Sequence, residues 1–167
     1  MKLIVCPLAQ LDAALALAPS HVLTLLGPGA EIPTCPGIAP TQRLVLSFND
    51  INGPVDGLTH ANSKDIENLI TFAQSWHGPA PFVAHCWAGI SRSTAAAYII
   101  ACARHEPGRE QDLAVQLRHL APSATPNPWM VALADDILGR SGRMTQAIAG
   151  IGRGREAGMG DFFTLDF

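Results

Sequence analysis

A cysteine and an arginine stand six residues apart in a pattern that suits the binding and attack of a phosphate-like anion. Cys86 is followed by Gly89 and Arg92, and then by the hydroxyl residues Ser93 and Thr94. A thiolate is a strong nucleophile, and the planar guanidinium fork of an arginine can hold two oxygens of one anion. These residue types therefore predict nucleophilic chemistry on a bound anion, with the sulfur of Cys86 as the attacking atom.

The residues between the cysteine and the arginine can supply the rest of an anion site. Backbone amides in a short loop can point inward and hold an anion, and the N-terminus of a following helix adds to the effect. Gly89 removes the Cβ where the chain must turn or approach the ligand. We expect Ser93, or else Thr94, to donate a hydrogen bond to the sulfur. The expected phosphate-binding residues are Trp87, Ala88, Gly89, Ile90, Ser91 and Arg92.

This loop needs a strand before it and a helix after it, and the surrounding sequence predicts both. Apolar, β-branched runs alternate with helical patterns along the chain, which favours a mainly parallel sheet covered on both faces. In such folds ligands bind at the carboxyl ends of the strands. We therefore predict a single α/β domain with a central, mostly parallel sheet of four to five strands. The predicted strands span 3–8, 21–26, 43–48 and 81–85, and the predicted helices span 9–18, 64–76 and 91–104, with three more before residue 151.

The run from His85 to Thr94 resembles the His-Cys-x5-Arg-Ser/Thr signature of the protein tyrosine phosphatase superfamily. The outline of residues 1–140 is similar to the compact, dual-specificity-like members, although only 85–94 match with high specificity. The resemblance implies a phosphatase fold and hydrolysis of phosphomonoesters through a phosphocysteine intermediate, without metal or cofactor. It also implies that His85 orients the loop. We expect a phosphatase domain at 1–151 and a tail at 152–167 whose order the sequence leaves open.

The resemblance also implies a general acid on a separate loop, and two aspartates are candidates. Asp50 and Asp56 lie 36 and 30 residues before Cys86. Spacing does not choose between them, but Asp50 directly follows a predicted strand, so we favour it. Asp56 stands in a Pro-Val-Asp-Gly turn that suits a structural role. His60 is expected to be a solvated loop residue, and Asp65 to stabilise the start of a helix.

Composition narrows the class of protein further. The net charge of −3 gives no basic surface for nucleic acid, and no apolar run approaches the ~20 residues that span a bilayer. Cys6, Cys35 and Cys102 have no zinc-ligand spacing, so we expect inert, reduced core thiols in a cytoplasmic protein. The expected partner is a phosphorylated protein or a small phosphate ester.

Three alternatives stay open from the sequence. The loop could belong to a non-catalytic phosphate-binding module if neither aspartate acts as an acid. The substrate could be a lipid or nucleotide phosphate. A sulfur-handling or arsenate-reducing enzyme could use a similar loop, but it would need a second thiol near Cys86.

Overall fold

The computed structural model describes residues 1–166, and a five-stranded sheet lies at its centre. The strand order is β3-β2-β4-β1-β5; the first four are parallel, and β5 runs antiparallel to β1. This confirms the predicted α/β fold with a mostly parallel sheet. The strands are β1 (Lys2–Pro7), β2 (His21–Leu26), β3 (Arg43–Ser47), β4 (Phe82–Cys86) and β5 (Phe163–Asp166).

Strand β4 lies between β1 and β2 and is buried along its whole length. Its apolar side chains pack on both faces of the sheet, as expected for a central parallel strand covered by helices. The register places Cys86 beside Pro7 of β1 and Leu25 of β2, so three strand ends meet at the residue that opens the candidate loop. The site therefore forms where the carboxyl ends of parallel strands converge.

Six α-helices in the described part of the chain surround the sheet, and α3 is the one that positions the site. Its residues from Arg92 to Cys102 are all buried, and its alanines allow close packing against the sheet and the neighbouring helices. A helix that is apolar on all sides belongs in a core. The helices are α1 (Leu11–Leu15), α2 (Ser63–Gln74), α3 (Arg92–Arg104), α4 (Glu110–Leu120), α5 (Pro128–Ile137) and α6 (Arg143–Ile151). None of the helices described is long and apolar enough to cross a bilayer.

Two local predictions about helices need correction. The predicted helix at 9–18 is a 3-10 turn, Leu8–Gln10, followed by the short α1, and Ala18 has a positive φ of 51° that ends the segment. The helix predicted at 64–76 begins one residue earlier, at Ser63, and its N-cap is Asn62. The side chains of Asn62 and Asp65 accept hydrogen bonds from each other's backbone amides, forming a capping box.

The end of the described chain returns to the sheet. Residues 152–162 cross beside the candidate loop, and β5 then pairs with β1, with Val5 opposite Phe163. Phe163 and Leu165 are buried, whereas Phe162 is exposed. The sequence leaves the order of this tail open because a glycine-rich segment gives no periodic pattern, and only long-range pairing with β1 defines it.

Candidate active site

The sulfur of Cys86 lies at the floor of the loop that joins β4 to α3. The residue is 1 % exposed, its Sγ lies 3.1 Å from the Oγ of Ser93, and it accepts a hydrogen bond from the Gly89 amide at 3.3 Å. Thr94 lies elsewhere: its hydroxyl donates to the carbonyls of Ile90 and Ser91, at 2.5 and 2.9 Å. Of the two hydroxyl residues expected near the sulfur, the structure therefore places Ser93 there.

Most carbonyls of the loop face the surrounding protein. Those of Trp87, Ala88 and Ile90 accept hydrogen bonds from the amides of Leu8, Gly160 and Thr125, at 3.2, 2.8 and 2.9 Å. No peptide bond in this loop is cis, and in a trans peptide the C=O and the following N–H point in opposite directions. Outward carbonyls therefore turn the following amides toward the centre of the loop, where the Gly89 amide meets the sulfur. This arrangement creates a concave surface of donors suited to an oxyanion.

Glycine is the only residue type that fits at position 89 of the loop. Its φ is +72°, and an ideal Cβ would lie 2.7 Å from the backbone nitrogen of Pro7 and 3.0 Å from its Cδ. The loop therefore packs directly against the end of β1, and both backbone conformation and space require glycine.

We predict that Gly89→Ala weakens the binding of inorganic phosphate by at least about tenfold, because it adds about 1–2 kcal/mol of backbone strain to a steric clash. Titration calorimetry with phosphate measures the effect. Gly57→Ala is the matched control, since Gly57 has a φ of +77° but no neighbouring atom within 4 Å of an added Cβ. Equal phosphate affinity in both variants would show that the close approach to Pro7 is unimportant.

Arg92, at the first position of α3, turns back toward the end of β3. Its Nη1 donates to the carbonyl of Phe48 at 2.8 Å, and its Nε lies 3.8 Å from Oδ2 of Asp50. The side chain is nearly buried, and within residues 1–166 its Nε has no hydrogen-bond partner. A buried guanidinium N–H without a partner is costly, so an anion that accepts from this N–H would be favoured.

Asp50 follows β3 and reaches the candidate loop. Its Oδ1 accepts hydrogen bonds from the Ser91 hydroxyl at 2.7 Å and from the Nδ2 of Asn127 at 2.8 Å. Asn127 is buried, and its own Oδ1 caps α5 by accepting from the Met130 amide at 3.0 Å. Asn127 is thus a site residue that the sequence reasoning did not identify. The Pro126-Asn127-Pro128 run is typical of a helix start, but it does not indicate that the same side chain holds the carboxylate.

Asp56 lies apart from the loop. It is exposed, and no hydrogen bond or ion pair to it occurs within the described chain. The segment that contains the two aspartates is closed by two hydrogen bonds between Asn49 and Thr59. The Asn49 amide donates to the Thr59 carbonyl, and the Asn49 side chain accepts from the Thr59 amide. Asp50 therefore stays beside the loop while Asp56 faces solvent. His60 is partly buried and packs edge-on against Trp129, with ring centroids 5.8 Å apart, rather than lying free in solvent as expected.

The sequence of this chain matches no family model and no curated protein. Its structure matches the crystal structure of DUSP15 with a TM-score of 0.57, over 89 % of this chain and 90 % of that chain, at 18 % identity. DUSP15 is a dual-specificity phosphatase. The chain has the fold of the dual-specificity phosphatases. This confirms the fold that the signature His85–Thr94 implied, and the signature occupies the turn between β4 and α3 of that fold.

Behind the loop of this phosphatase fold, His85 links two strands. It is fully buried, and its Nε2 lies 2.8 Å from the Oγ1 of Thr24 on β2. Burial lowers the pKa of His85 to about 4, so the imidazole is neutral at neutral pH. A neutral, buried ring is suited to holding β4 in place rather than to carrying a proton to substrate.

Two cavities lie on either side of the loop. The larger, about 670 Å³, is lined by apolar side chains of α5 and α6 together with Asn52, Ser91 and Arg153. The smaller, about 480 Å³, is bounded by Trp87, Asp12 and Glu31. Trp87 is 65 % exposed, so beyond its backbone it forms part of the surface beside the site.

Proposed function

We propose that this chain is a cysteine-dependent phosphomonoester hydrolase that acts through a phosphocysteine intermediate on Cys86. One observation carries the proposal: a nucleophilic sulfur, a loop of inward amides, a guanidinium and a carboxylate converge in one place. The sulfur has the Gly89 amide at 3.3 Å, and Arg92 lies 3.8 Å from Asp50. The loop amides and Arg92 would hold three phosphate oxygens, leaving the ester oxygen on the side away from the sulfur.

In the first step the Cys86 thiolate attacks phosphorus and the bond from phosphorus to the ester oxygen breaks. The electron pair of that bond goes to the leaving oxygen, which takes a proton from Asp50. Charge that develops on the equatorial oxygens is stabilised by the amides and by the fork of Arg92. The phosphoryl group is then bound to sulfur.

In the second step water attacks phosphorus, and the Asp50 carboxylate takes a proton from this water. The sulfur–phosphorus bond breaks and its electron pair returns to sulfur, so inorganic phosphate leaves. The hydroxyl of Ser93, 3.1 Å from the sulfur, donates a hydrogen bond that stabilises the departing thiolate. Each proton that Asp50 gives in the first step is recovered in the second.

The geometry favours Asp50 over Asp56 as the general acid. Asp50 accepts a hydrogen bond from Ser91 of the loop. Asp56 is exposed and makes no hydrogen bond or ion pair with the described residues. A general acid must come within hydrogen-bond reach of the leaving oxygen.

We therefore predict that Asp50→Ala lowers kcat for phenyl phosphate by about 100-fold or more and flattens the alkaline limb of its pH profile, because general acid catalysis contributes about 10²–10⁴-fold. Asp56→Ala is the matched control and should stay within about twofold of wild type, since surface substitutions of this kind have small effects. Assays in a metal chelator also test whether the reaction needs a metal. A loss confined to Asp56→Ala would reassign the acid, and an unchanged rate in both variants would favour the phosphate-binding module.

The other thiols give little support to a reductase. All four cysteines are free and buried. Cys6 packs in the small apolar cluster on the opposite side of the sheet from Cys86. Burial, together with the charge of Cys86, raises the pKa of Cys6 to about 12, so it would remain a protonated thiol.

Free thiols in the core suit the reducing cytoplasm, which we propose as the location.

The substrate class within phosphomonoesters is also part of the proposal. We place phosphoproteins of the tyrosine or dual-specificity type first, with a lipid or nucleotide phosphate as the alternative. The two cavities beside the loop are open to groups larger than a bare phosphate, which supports an extended substrate.

A further inference from the structure

We infer that the tail, residues 152–162, contacts the candidate active site through Gly160 and that Gly160 is a positioning residue for the sulfur of Cys86. The inference rests on the proposed function, because it assigns a part of the same site to a segment outside the signature. Gly160 lies 74 residues after Cys86, and no motif in the sequence connects the two.

One peptide plane joins the tail to the sulfur. The Gly160 amide donates to the carbonyl of Ala88 at 2.8 Å, and the amide on the other side of that same peptide, Gly89 N–H, donates to the sulfur at 3.3 Å. Because a trans peptide is rigid and planar, fixing the carbonyl fixes the amide. Gly160 thereby orients the one loop donor that contacts the nucleophile.

The contact leaves no room for a side chain on the tail. An ideal Cβ on Gly160 would overlap the carbonyl oxygen of Gly89 and would lie 2.7 Å from the carbonyl carbon of Gly89. It would also lie 3.1 Å from the carbonyl oxygen of Ala88. These are backbone atoms of the loop itself, which cannot move aside as a flexible side chain can. Any residue larger than glycine must displace either the tail or the loop.

The tail is held firmly on both sides of this contact. Before it, the Gly154 amide donates to the Oγ1 of Thr125 at 3.1 Å, and the Arg155 amide donates to the carbonyl of Pro122 at 2.8 Å. After it, Asp161 accepts from the Ser123 hydroxyl at 2.7 Å, and β5 pairs with β1. The tail therefore cannot shift freely to relieve a clash, so strain at residue 160 is transmitted to the loop.

Gly160→Ala, with Gly158→Ala as its matched control, tests this role. No atom lies within 4 Å of a Cβ added at Gly158. We expect Gly160→Ala to lower kcat/KM for phenyl phosphate at least about tenfold. We also expect it to move the pH midpoint of Cys86 alkylation by iodoacetamide upward, because the misplaced Gly89 amide no longer stabilises the thiolate. Gly158→Ala should match wild type in both measurements.

The two readouts separate this role from general destabilisation and from failure of the proposed function. If Gly160→Ala lowers the melting temperature but leaves the alkylation midpoint at its wild-type value, the tail is only structural and the inference is wrong. An upward shift in the midpoint supports the positioning role. This conclusion about Gly160 holds even if Cys86→Ser remains active. Activity of Cys86→Ser would separately refute the phosphocysteine mechanism.

A different observation, the larger cavity, supports an inference about the leaving group. As the general acid, Asp50 must lie next to the leaving oxygen. Ser91, which donates a hydrogen bond to Asp50, lines this cavity together with Asn52. The body of the leaving group would therefore extend into it. Its lining is mainly apolar, and Arg153 makes no ion pair within residues 1–166. On the basis of the proposed function, we propose that the cavity receives an apolar or aromatic leaving group that carries a second negative charge.

Three esters test this subsite: phenyl phosphate, 2-naphthyl phosphate and 6-carboxy-2-naphthyl phosphate. We expect kcat/KM to rise at least about fivefold at each step in this series. Ala149→Phe fills the cavity and should remove the preference for naphthyl, whereas Gln146→Phe, on the exposed side of α6, should keep it. Arg153→Glu should remove the preference for the carboxylate, and Arg155→Glu should retain it. Equal kcat/KM for the three esters in an active wild type would refute the subsite while leaving the proposed function intact.

Discussion

Cys86→Ser is expected to lower kcat for phenyl phosphate by at least about 1,000-fold, because a neutral hydroxyl is a far weaker nucleophile than a thiolate. The variant should still bind inorganic phosphate within a few-fold of wild type. The inward amides and Arg92 remain, and serine has almost the shape of cysteine. Steady-state kinetics and phosphate titration measure the two effects separately.

Cys35→Ala is the control for this substitution. Cys35 is buried in the small cluster on the other side of the sheet, so its removal should affect stability more than turnover. A Cys86→Ser variant with near-normal kcat would exclude covalent catalysis through this sulfur. A variant that loses phosphate binding together with turnover would show instead that the thiolate is needed to form the loop.

Arg92→Lys is expected to lower kcat/KM by about 100- to 1,000-fold, equivalent to about 3–4 kcal/mol of transition-state stabilisation. A lysine keeps the positive charge but has no planar fork, so it cannot hold two phosphate oxygens at once. It would also lose the hydrogen bond from Nη1 to the carbonyl of Phe48, which ties the start of α3 to the residue that follows β3. The loss should therefore appear in kcat as well as in KM.

Arg109→Lys is a suitable control, since this arginine is exposed and its one ion pair among residues 1–166 is with Asp112, at 3.2 Å. Its substitution should leave the kinetics unchanged, because exposed ion pairs contribute little. If Arg92→Lys retained wild-type kcat/KM, simple charge would suffice and the bidentate role of the guanidinium would be wrong.

The sequence was sufficient for those features of the site that depend on local spacing. The loop from Cys86 to Arg92 is continuous in the chain, so its glycine, its arginine and the following hydroxyl could be predicted together with the strand and helix that flank it. The fold class followed from the alternation of apolar runs and helical patterns. The structure confirms that fold, and it places Ser93 rather than Thr94 at the sulfur.

Features that depend on contacts between distant segments could not be predicted in this way. Asn127 holds Asp50 across 77 positions, and Gly160 reaches Ala88 from the end of the chain. Neither residue has a sequence signal for its role at the site, because the hydrogen bonds to Asp50 and to Ala88 form only in the packed fold. Spacing did not choose between Asp50 and Asp56 for the same reason, and Asp50 was favoured only because it follows a predicted strand. Both aspartates lie on one irregular segment, and in the structure Asn49 and Thr59 close it so that Asp50 faces the loop.

The most direct test of the mechanism is to capture the covalent intermediate. Asp50→Ala, which should slow hydrolysis of the intermediate, is mixed with 4-nitrophenyl phosphate, quenched with denaturant within milliseconds and digested for mass spectrometry. The account predicts one added phosphoryl group on the peptide that contains Cys86, and none in Cys86→Ser. Active enzyme that carries no phosphoryl group on Cys86, or carries it on another residue, would contradict the phosphocysteine mechanism.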